Sequence, residues 1–348
     1  MTDVSSLWLI QQIQQHATAN SVWFSDENFL HHLPDAHFWP VKPLLISNRW
    51  DLAESARQAG FAVEFTDFDV AHLADNSLDH IFYRISKEKA VTHHLINQAQ
   101  RLLKPNGYLW LCGQKNEGVK TYIEKACLLL GCEKNIQKNN TNYSGRLTKI
   151  RCSGLRLNDE NYSELRTCIR INDEYFASKP GQFGWNKIDQ GSEFLIAAIY
   201  PQLSQSGRSF ERCLDLGCGY GYLTLASKML PIKQRTLTDN NAAALISASA
   251  NCALLDNAQV IPSDAGADLR DKFDLILCNP PFHQGFSVDG DLTDKFLRNT
   301  QQLLTADGLA YFVVNQFIAL EKKAVPYFKH IHLIAQNKSF NVFELRKK

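Results

Sequence analysis

The sequence predicts two tandem α/β domains, each a mostly parallel, twisted sheet with helices on both faces. Three observations carry this. Short apolar runs alternate with helical patterns through the C-terminal half. The N-terminal half repeats that rhythm more weakly. Two segments then recur in both halves in the same relative places. Leu102-Leu103-Lys104-Pro105-Asn106-Gly107-Tyr108-Leu109-Trp110 matches Leu303-Leu304-Thr305-Ala306-Asp307-Gly308-Leu309-Ala310-Tyr311, and Asp79-His80-Ile81-Phe82-Tyr83-Arg84 matches Asp274-Leu275-Ile276-Leu277-Cys278-Asn279. We read the recurrence as a duplicated domain whose first copy has lost its chemistry.

In the N-terminal half, strands are expected at residues 44–47, 62–65, 79–83 and 108–112, with helices at 52–59 and 91–103. In the C-terminal half, strands are expected at 212–216, 236–239, 260–264, 273–279, 309–315 and 330–335, with helices at 242–255 and 292–304. Strand, helix, strand in this order requires right-handed crossovers and hence a parallel sheet. Residues 341–346 follow the preceding run too closely for a helical crossover, so the C-terminal sheet should end in an antiparallel strand. The division expected is 1–157 for a degenerate N-terminal domain and 158–348 for a catalytic one.

The chain has 348 residues, 45% hydrophobic and 21% charged. That excludes a disordered or fibrous protein and provides ample core. Lys plus Arg is 37 against 36 Asp plus Glu, a net charge of +1. Bulk charge therefore cannot hold the protein on nucleic acid, and any such contact needs a local patch. One candidate is residues 134–157, with Lys134, Lys138, Arg146, Lys149, Arg151 and Arg156 and no acid. It reads either as a solvated hairpin and linker or as part of an RNA-facing surface. Nine cysteines without C-x-x-C spacing, no secretory pattern and no membrane-length apolar run point to a reduced, cytoplasmic protein. No histidines or cysteines have metal-ligand spacing, so no metal is expected.

The chemistry begins at Asp215-Leu216-Gly217-Cys218-Gly219-Tyr220-Gly221, which follows an expected strand and opens an expected helix. Glycines there allow a sharp turn and let a ligand lie against bare main chain. A dinucleotide fingerprint needs its third glycine at position 222, which is Tyr222 here. The spacing G-x-G-x-G with an acid two residues ahead is instead that of methyltransferases using S-adenosylmethionine. Asp239 ends the next strand, where a carboxylate can accept both ribose hydroxyls. Asp264 ends the third, where it can accept from the adenine amino group. Either aspartate alone could be a helix cap or turn residue. Three acids at successive strand ends fit the ligand-binding edge of an open α/β sheet.

Asn279-Pro280-Pro281-Phe282 ends the fourth strand. The Asn279 side-chain oxygen and the Pro280 carbonyl can accept both hydrogens of an –NH₂ group, and Phe282 offers a stacking face. His283 follows as a pocket-lining or structural residue, with a general base as its other reading.

Gly loop first and Asn-Pro-Pro-Phe later is the motif order of class I methyltransferases acting on exocyclic amines. More narrowly, the chain resembles the bacterial ribosomal RNA small subunit methyltransferase C family, specifically over residues 180–346 and architecturally over the first 150. Pro180-Gly181-Gln182-Phe183-Gly184-Trp185-Asn186-Lys187-Ile188-Asp189-Gln190-Gly191-Ser192 is part of that resemblance. It implies two Rossmann-like methyltransferase domains, only the second active. Gly217, Gly219, Gly221, Asp239 and Asp264 would hold S-adenosylmethionine, with Phe183, Asp215 and Asn279 bordering it, while Asn279, Pro280 and Phe282 would hold the guanine. The implied reaction is methylation of guanine N2 in 16S rRNA, within the small ribosomal subunit, by a monomer. Alternatives are the 23S rRNA enzyme, a release-factor glutamine methyltransferase, a DNA adenine methyltransferase and a non-catalytic assembly factor. One departure stands out: Phe-Gly-Trp-Asn-Lys-Ile-Asp replaces the family's Phe-Ser-Arg-x-Gly-Leu-Asp. In the first copy, Ser47-Asn48-Arg49-Trp50 should replace the Gly loop and Arg84 should replace Asn279.

Overall fold

The computed structural model describes residues 3–133, 135–171, 174–253, 255–281 and 290–347. The chain divides into two units, Met1–Glu164 and Leu165–Lys348. The boundary falls after 164 rather than after 157. Tyr162 explains this: its ring is fully buried in the first unit's core and its hydroxyl donates to Asp67.

The first unit holds β1 (Ser21–Ser25), β2 (Leu44–Ser47), β3 (Val63–Phe65), β4 (Leu78–Arg84), β5 (Leu103–Gln114), β6 (Gln137–Asn139) and β7 (Asn142–Thr148), in the order β3-β2-β1-β4-β5-β7-β6. Pairings among β1 to β5 are parallel, and β7 runs antiparallel to both β5 and β6. One face is covered by α1 (Val4–His16) and α2 (Trp50–Gln58), through Leu9, Ile13, Leu52 and Ala56. The other is covered by α3 (Lys89–Leu102) and α4 (Val119–Leu130), through Leu95, Ala99, Ile123 and Ala126. The central strand β1 was not among the strands expected. Its five residues are all buried, so it lacks the alternation that marks a half-exposed strand.

The second unit opens with an antiparallel hairpin, β8 (Arg166–Ile171) and β9 (Glu174–Ser178). Its main sheet contains β10 (Phe210–Leu216), β11 (Ile232–Asp239), β12 (Ala258–Pro262), β13 (Phe273–Cys278), β14 (Leu304–Asn315), β15 (His330–Gln336) and β16 (Phe340–Arg346). The order is β12-β11-β10-β13-β14-β16-β15, the first unit's order again. The last strand inserts between β14 and β15, antiparallel to both. Helices α5 (Gln190–Gln205) and α7 (Ala242–Cys252) line one face, and α8 (Gly290–Leu303) and α9 (Leu320–Ala324) the other.

Register makes the duplication residue-specific. Phe82 pairs with Trp110 as Leu277 pairs with Tyr311. Phe24 pairs with Tyr83 as Leu216 pairs with Cys278. Both copies also break register at the same place, between Leu78 and His80 and between Phe273 and Leu275. The recurring Leu-Leu-x-x-x-Gly segment lies opposite that break. A Cβ on Gly107 would sit 3.0 Å from the Lys104 carbonyl oxygen, and one on Gly308 would sit 2.7 Å from Leu304 Cδ1. This register corrects one expectation. Ser47 ends β2 and Trp50 opens α2, so Ser47 occupies the place of Asp239, not that of the Gly loop. The loop's counterpart is Ser25-Asp26-Glu27, at the end of β1. Arg84 does occupy the place of Asn279.

Candidate active site

The site lies at the carboxyl edge of β10, β11 and β13, where crossovers leave a crevice for ligands. Between β10 and the short helix α6 (Tyr222–Ala226), Gly217, Gly219 and Gly221 have φ of +75°, +55° and +91°, backbone that L side chains rarely adopt. Their surroundings differ. A Cβ on Gly221 would meet Leu237 at 3.2 Å, so that glycine serves packing. A Cβ on Gly219 would meet nothing within 4 Å, so that glycine faces open space that a ligand can occupy.

Two aspartates shape this loop. Asp239 Oδ2 accepts the Gly219 N–H at 3.0 Å and Oδ1 accepts the Asn241 N–H at 2.9 Å. Each oxygen retains acceptor capacity for a hydroxyl, but Asp239 is also the brace of the Gly loop. Asp215 is buried, and its Oδ2 accepts from the Thr224 N–H at 2.9 Å and hydroxyl at 2.8 Å. Its Oδ1 is buried without a protein partner. Burial pushes the Asp215 carboxyl up to about 7.

Asp264 presents a more crowded picture. Its Oδ2 is ion-paired with Lys295 Nζ from α8, so an adenine amino group must share this carboxylate with a lysine. The Phe183 ring is 82% exposed. Its neighbours are tied to α7: Asn241 Nδ2 donates to the Gly181 carbonyl at 2.7 Å, and Gln182 Nε2 to Ser247 Oγ at 2.5 Å. Phe183 therefore follows a segment anchored to α7, with its own side chain largely exposed.

Asn279 is half-buried just past the end of β13, with Pro280 buried beside it. Asn279 Nδ2 donates to Asp189 Oδ2 at 2.6 Å and to Ser192 Oγ at 2.9 Å. A carboxylate only accepts, so the amide nitrogen faces Asp189 and the amide oxygen is turned the other way. Asp189 is also the N-cap of α5, accepting the Ser192 N–H at 2.8 Å. Gly191 makes room for this clamp: a Cβ there would sit 3.1 Å from Asp189 Oδ2 and 3.4 Å from Asn279 Nδ2. Sequence reasoning assigned Asp189, Gly191 and Ser192 no role. The signal was present as Asp at an N-cap three residues before Ser, within the stretch already singled out. The first unit retains the same cap contact, since Asp3, the N-cap of α1, accepts from Arg84 Nε at 2.6 Å. Where the family's arginine is missing, Arg166 of β8 places its guanidinium over the Trp185 ring at 4.7 Å. Phe282 and His283 lie outside the described residues.

These features fit S-adenosylmethionine. Asp215 Oδ1 is a buried acceptor suited to the α-ammonium group, the open side of Gly219 suits the backbone-lined part of the ligand, and Asp239 suits the ribose. Among the described residues, no group of three or more His, Cys, Asp or Glu could hold a metal ion.

The methyltransferase small domain model matches residues 173–344. Ribosomal RNA small subunit methyltransferase C of Hamiltonella defensa is 34% identical over 177 residues, covering 50% of this chain and 51% of that one. The Shewanella amazonensis protein of the same name is 27% identical over 329 residues, 91% of each chain. Among solved structures, a Thermus thermophilus 16S rRNA N2 methyltransferase in complex with AdoMet and guanosine is 21% identical with a TM-score of 0.81. It covers 99% of this chain and 92% of that chain, a likeness of fold through both units. Residues 173–344 of the C-terminal unit thus carry the match to the methyltransferase small domain, and the chain is similar along most of its length to proteins named ribosomal RNA small subunit methyltransferase C.

Proposed function

We propose that the chain is an S-adenosylmethionine-dependent methyltransferase acting on the exocyclic N2 amine of a guanine in 16S rRNA. The observation that carries this is the fixed polarity of Asn279. With its amide nitrogen held by Asp189 and Ser192, the site offers an acceptor to a hydrogen-bearing nitrogen. S-adenosylmethionine, when bound, supplies an electrophilic methyl group. Asn279 Oδ1 and the Pro280 carbonyl would accept the two amine hydrogens and hold the nitrogen lone pair toward that methyl. As positive charge grows on nitrogen these acceptors tighten, which stabilises the transition state more than the ground state.

The relatives' names support small-subunit rRNA as the substrate. We extend the reading to a monomer that meets this RNA within the small ribosomal subunit, in the cytoplasm. No helix among the described residues is long and apolar enough to cross a membrane. The first unit is assigned no cofactor. Trp23 stands in the place of Asp215, and Asp26 and Glu27 stand in the place of Cys218 and Gly219. Arg84 is ion-paired with Asp3 and Glu117, and Arg49 with Glu27, so this edge is filled by its own side chains. Calorimetry of the full chain should give one S-adenosylmethionine per chain; two would overturn this assignment.

The test of the main reading is Asn279→Ala in single-turnover transfer at saturating cofactor, beside a cofactor titration. Removing one transition-state acceptor commonly costs about 10²–10³ in rate, roughly 3–4 kcal/mol. That loss with cofactor affinity nearly intact is the expected result. Transfer at the wild-type rate would remove the amine-acceptor role.

A further inference from the structure

Helix α1 carries Trp8, Gln12 and His16 at intervals of four, which places them in one stripe. That stripe borders a cleft of about 280 Å³ in the first unit, closed on its other side by residues of the β5–β7 region. Trp110 of β5 forms the floor. His16 stacks on it at 4.7 Å and 20°, and Trp8 lies tilted at 6.2 Å. Arg146 is the cross-strand partner of Trp110 and is exposed. Its guanidinium lies 5.3 Å from the Tyr108 ring and 5.9 Å from the Trp110 ring. Asn135 and Gln137 add two exposed amides, and among the described residues no carboxylate lines the cleft.

Each part has a chemical counterpart in one ligand class. Aromatic faces and a guanidinium plane stack on nucleobases, a contact that every base can make. Amide side chains meet base edges with both donors and acceptors. A cation without a nearby carboxylate in the cleft attracts phosphate. The volume falls just below the roughly 300–1,000 Å³ of pockets that enclose a drug-sized ligand, so it suits one base rather than a helix. An aliphatic peptide side chain would leave the guanidinium and the amides without partners.

We propose that this cleft holds one unpaired base of the RNA substrate, stacked against the Trp8, His16 and Trp110 group, with Arg146 on the adjoining phosphate. The proposal rests on reading the chain as an RNA methyltransferase and adds a second RNA contact, built entirely from the unit assigned no cofactor. Of the basic run, Arg146 lines this cleft, whereas Lys149 is buried and structural. Its Nζ donates to Asn76 Oδ1 at 2.7 Å and to the Leu103 carbonyl at 2.6 Å.

The test uses the full chain and an unstructured oligouridylate of about ten nucleotides carrying one 4-thiouridine. Ultraviolet crosslinks should map to peptides containing Trp8, His16 or Trp110. Arg146→Ala should weaken oligonucleotide binding about ten-fold, the scale of one lost charged contact, and reduce the salt slope by about one. Gln137→Ala, also exposed, should weaken it less. Cofactor affinity should not change in either variant. Crosslinks confined to other peptides, or Arg146→Ala binding within about two-fold of wild type at an unaltered salt slope, would overturn the proposal. Methyl transfer to 16S rRNA by the wild type is scored separately. Transfer without cleft crosslinks removes the cleft alone, and cleft crosslinks without transfer remove the assigned activity alone.

Discussion

Asp189 never touches the substrate in this account, yet it decides what kind of group the site can take. By holding the Asn279 nitrogen it turns the amide oxygen the other way, and in the proposed reaction that oxygen would select for hydrogen-bearing nitrogen rather than for a carbonyl. The first unit keeps the cap aspartate but replaces asparagine by Arg84, converting an orienting contact into an ion pair. Asp215 carries the pH dependence. Its carboxyl is raised by burial to about 7, above the unfolded value near 3.8. Between those values the unfolded chain has released a proton that the folded chain keeps. Stability of the ligand-free protein should therefore fall as pH rises through that window. A bound ammonium favours the ionised form, so cofactor affinity should rise by about ten-fold or more from about pH 5.5 to 7.5, while the α-amino group is still largely protonated. Calorimetry across that range checks this, with Asp215→Asn expected to flatten the profile. A wild-type affinity independent of pH would show that Asp215 stays neutral on binding.

At the scale of elements, what the sequence showed and what it hid have separate causes. The strands β10, β11, β13 and β14 were legible because turn residues and helical patterns bracket their apolar runs. The recurring Leu-Leu-x-x-x-Gly segment was legible too, but the register break it faces in both copies emerged only from the strand pairing. Strand β1 was hidden by uniform burial. The basic run misled in part because a linear count of cations says nothing of where each side chain goes. Period-two alternation along β7 turns Arg146 outward, whereas Lys149, just past the strand, folds back onto a carbonyl. Lys149→Ala should therefore lower stability by about 1–3 kcal/mol, because the Leu103 carbonyl loses its charged donor. It should leave the salt dependence of RNA binding unchanged. Denaturant unfolding and filter binding read the two effects, and a reduced salt slope with unchanged stability would restore the surface role. The Asp189 clamp was hidden for a related reason: its partners lie 90 and 87 residues away in the chain, as Asp189 to Asn279 and Ser192 to Asn279, and no local pattern announces such a pairing.

Across the whole molecule, one fold is used twice with different fillings. The second unit leaves open space beside Gly219 and a buried carboxylate oxygen without a protein partner. The first closes the matching edge with Arg49, Arg84 and their acidic partners, and offers a cationic, aromatic cleft elsewhere. That division assigns methyl transfer to residues 165–348 and RNA contact in part to residues 1–164. The most direct measurement supplies the protein with labelled S-adenosylmethionine and, in parallel, small subunits, large subunits and naked rRNA, then digests the RNA and identifies the labelled nucleoside. The expected product is N2-methylguanosine at one position of 16S rRNA. Label on 23S rRNA alone, on a different base or on a ribosomal protein would contradict it.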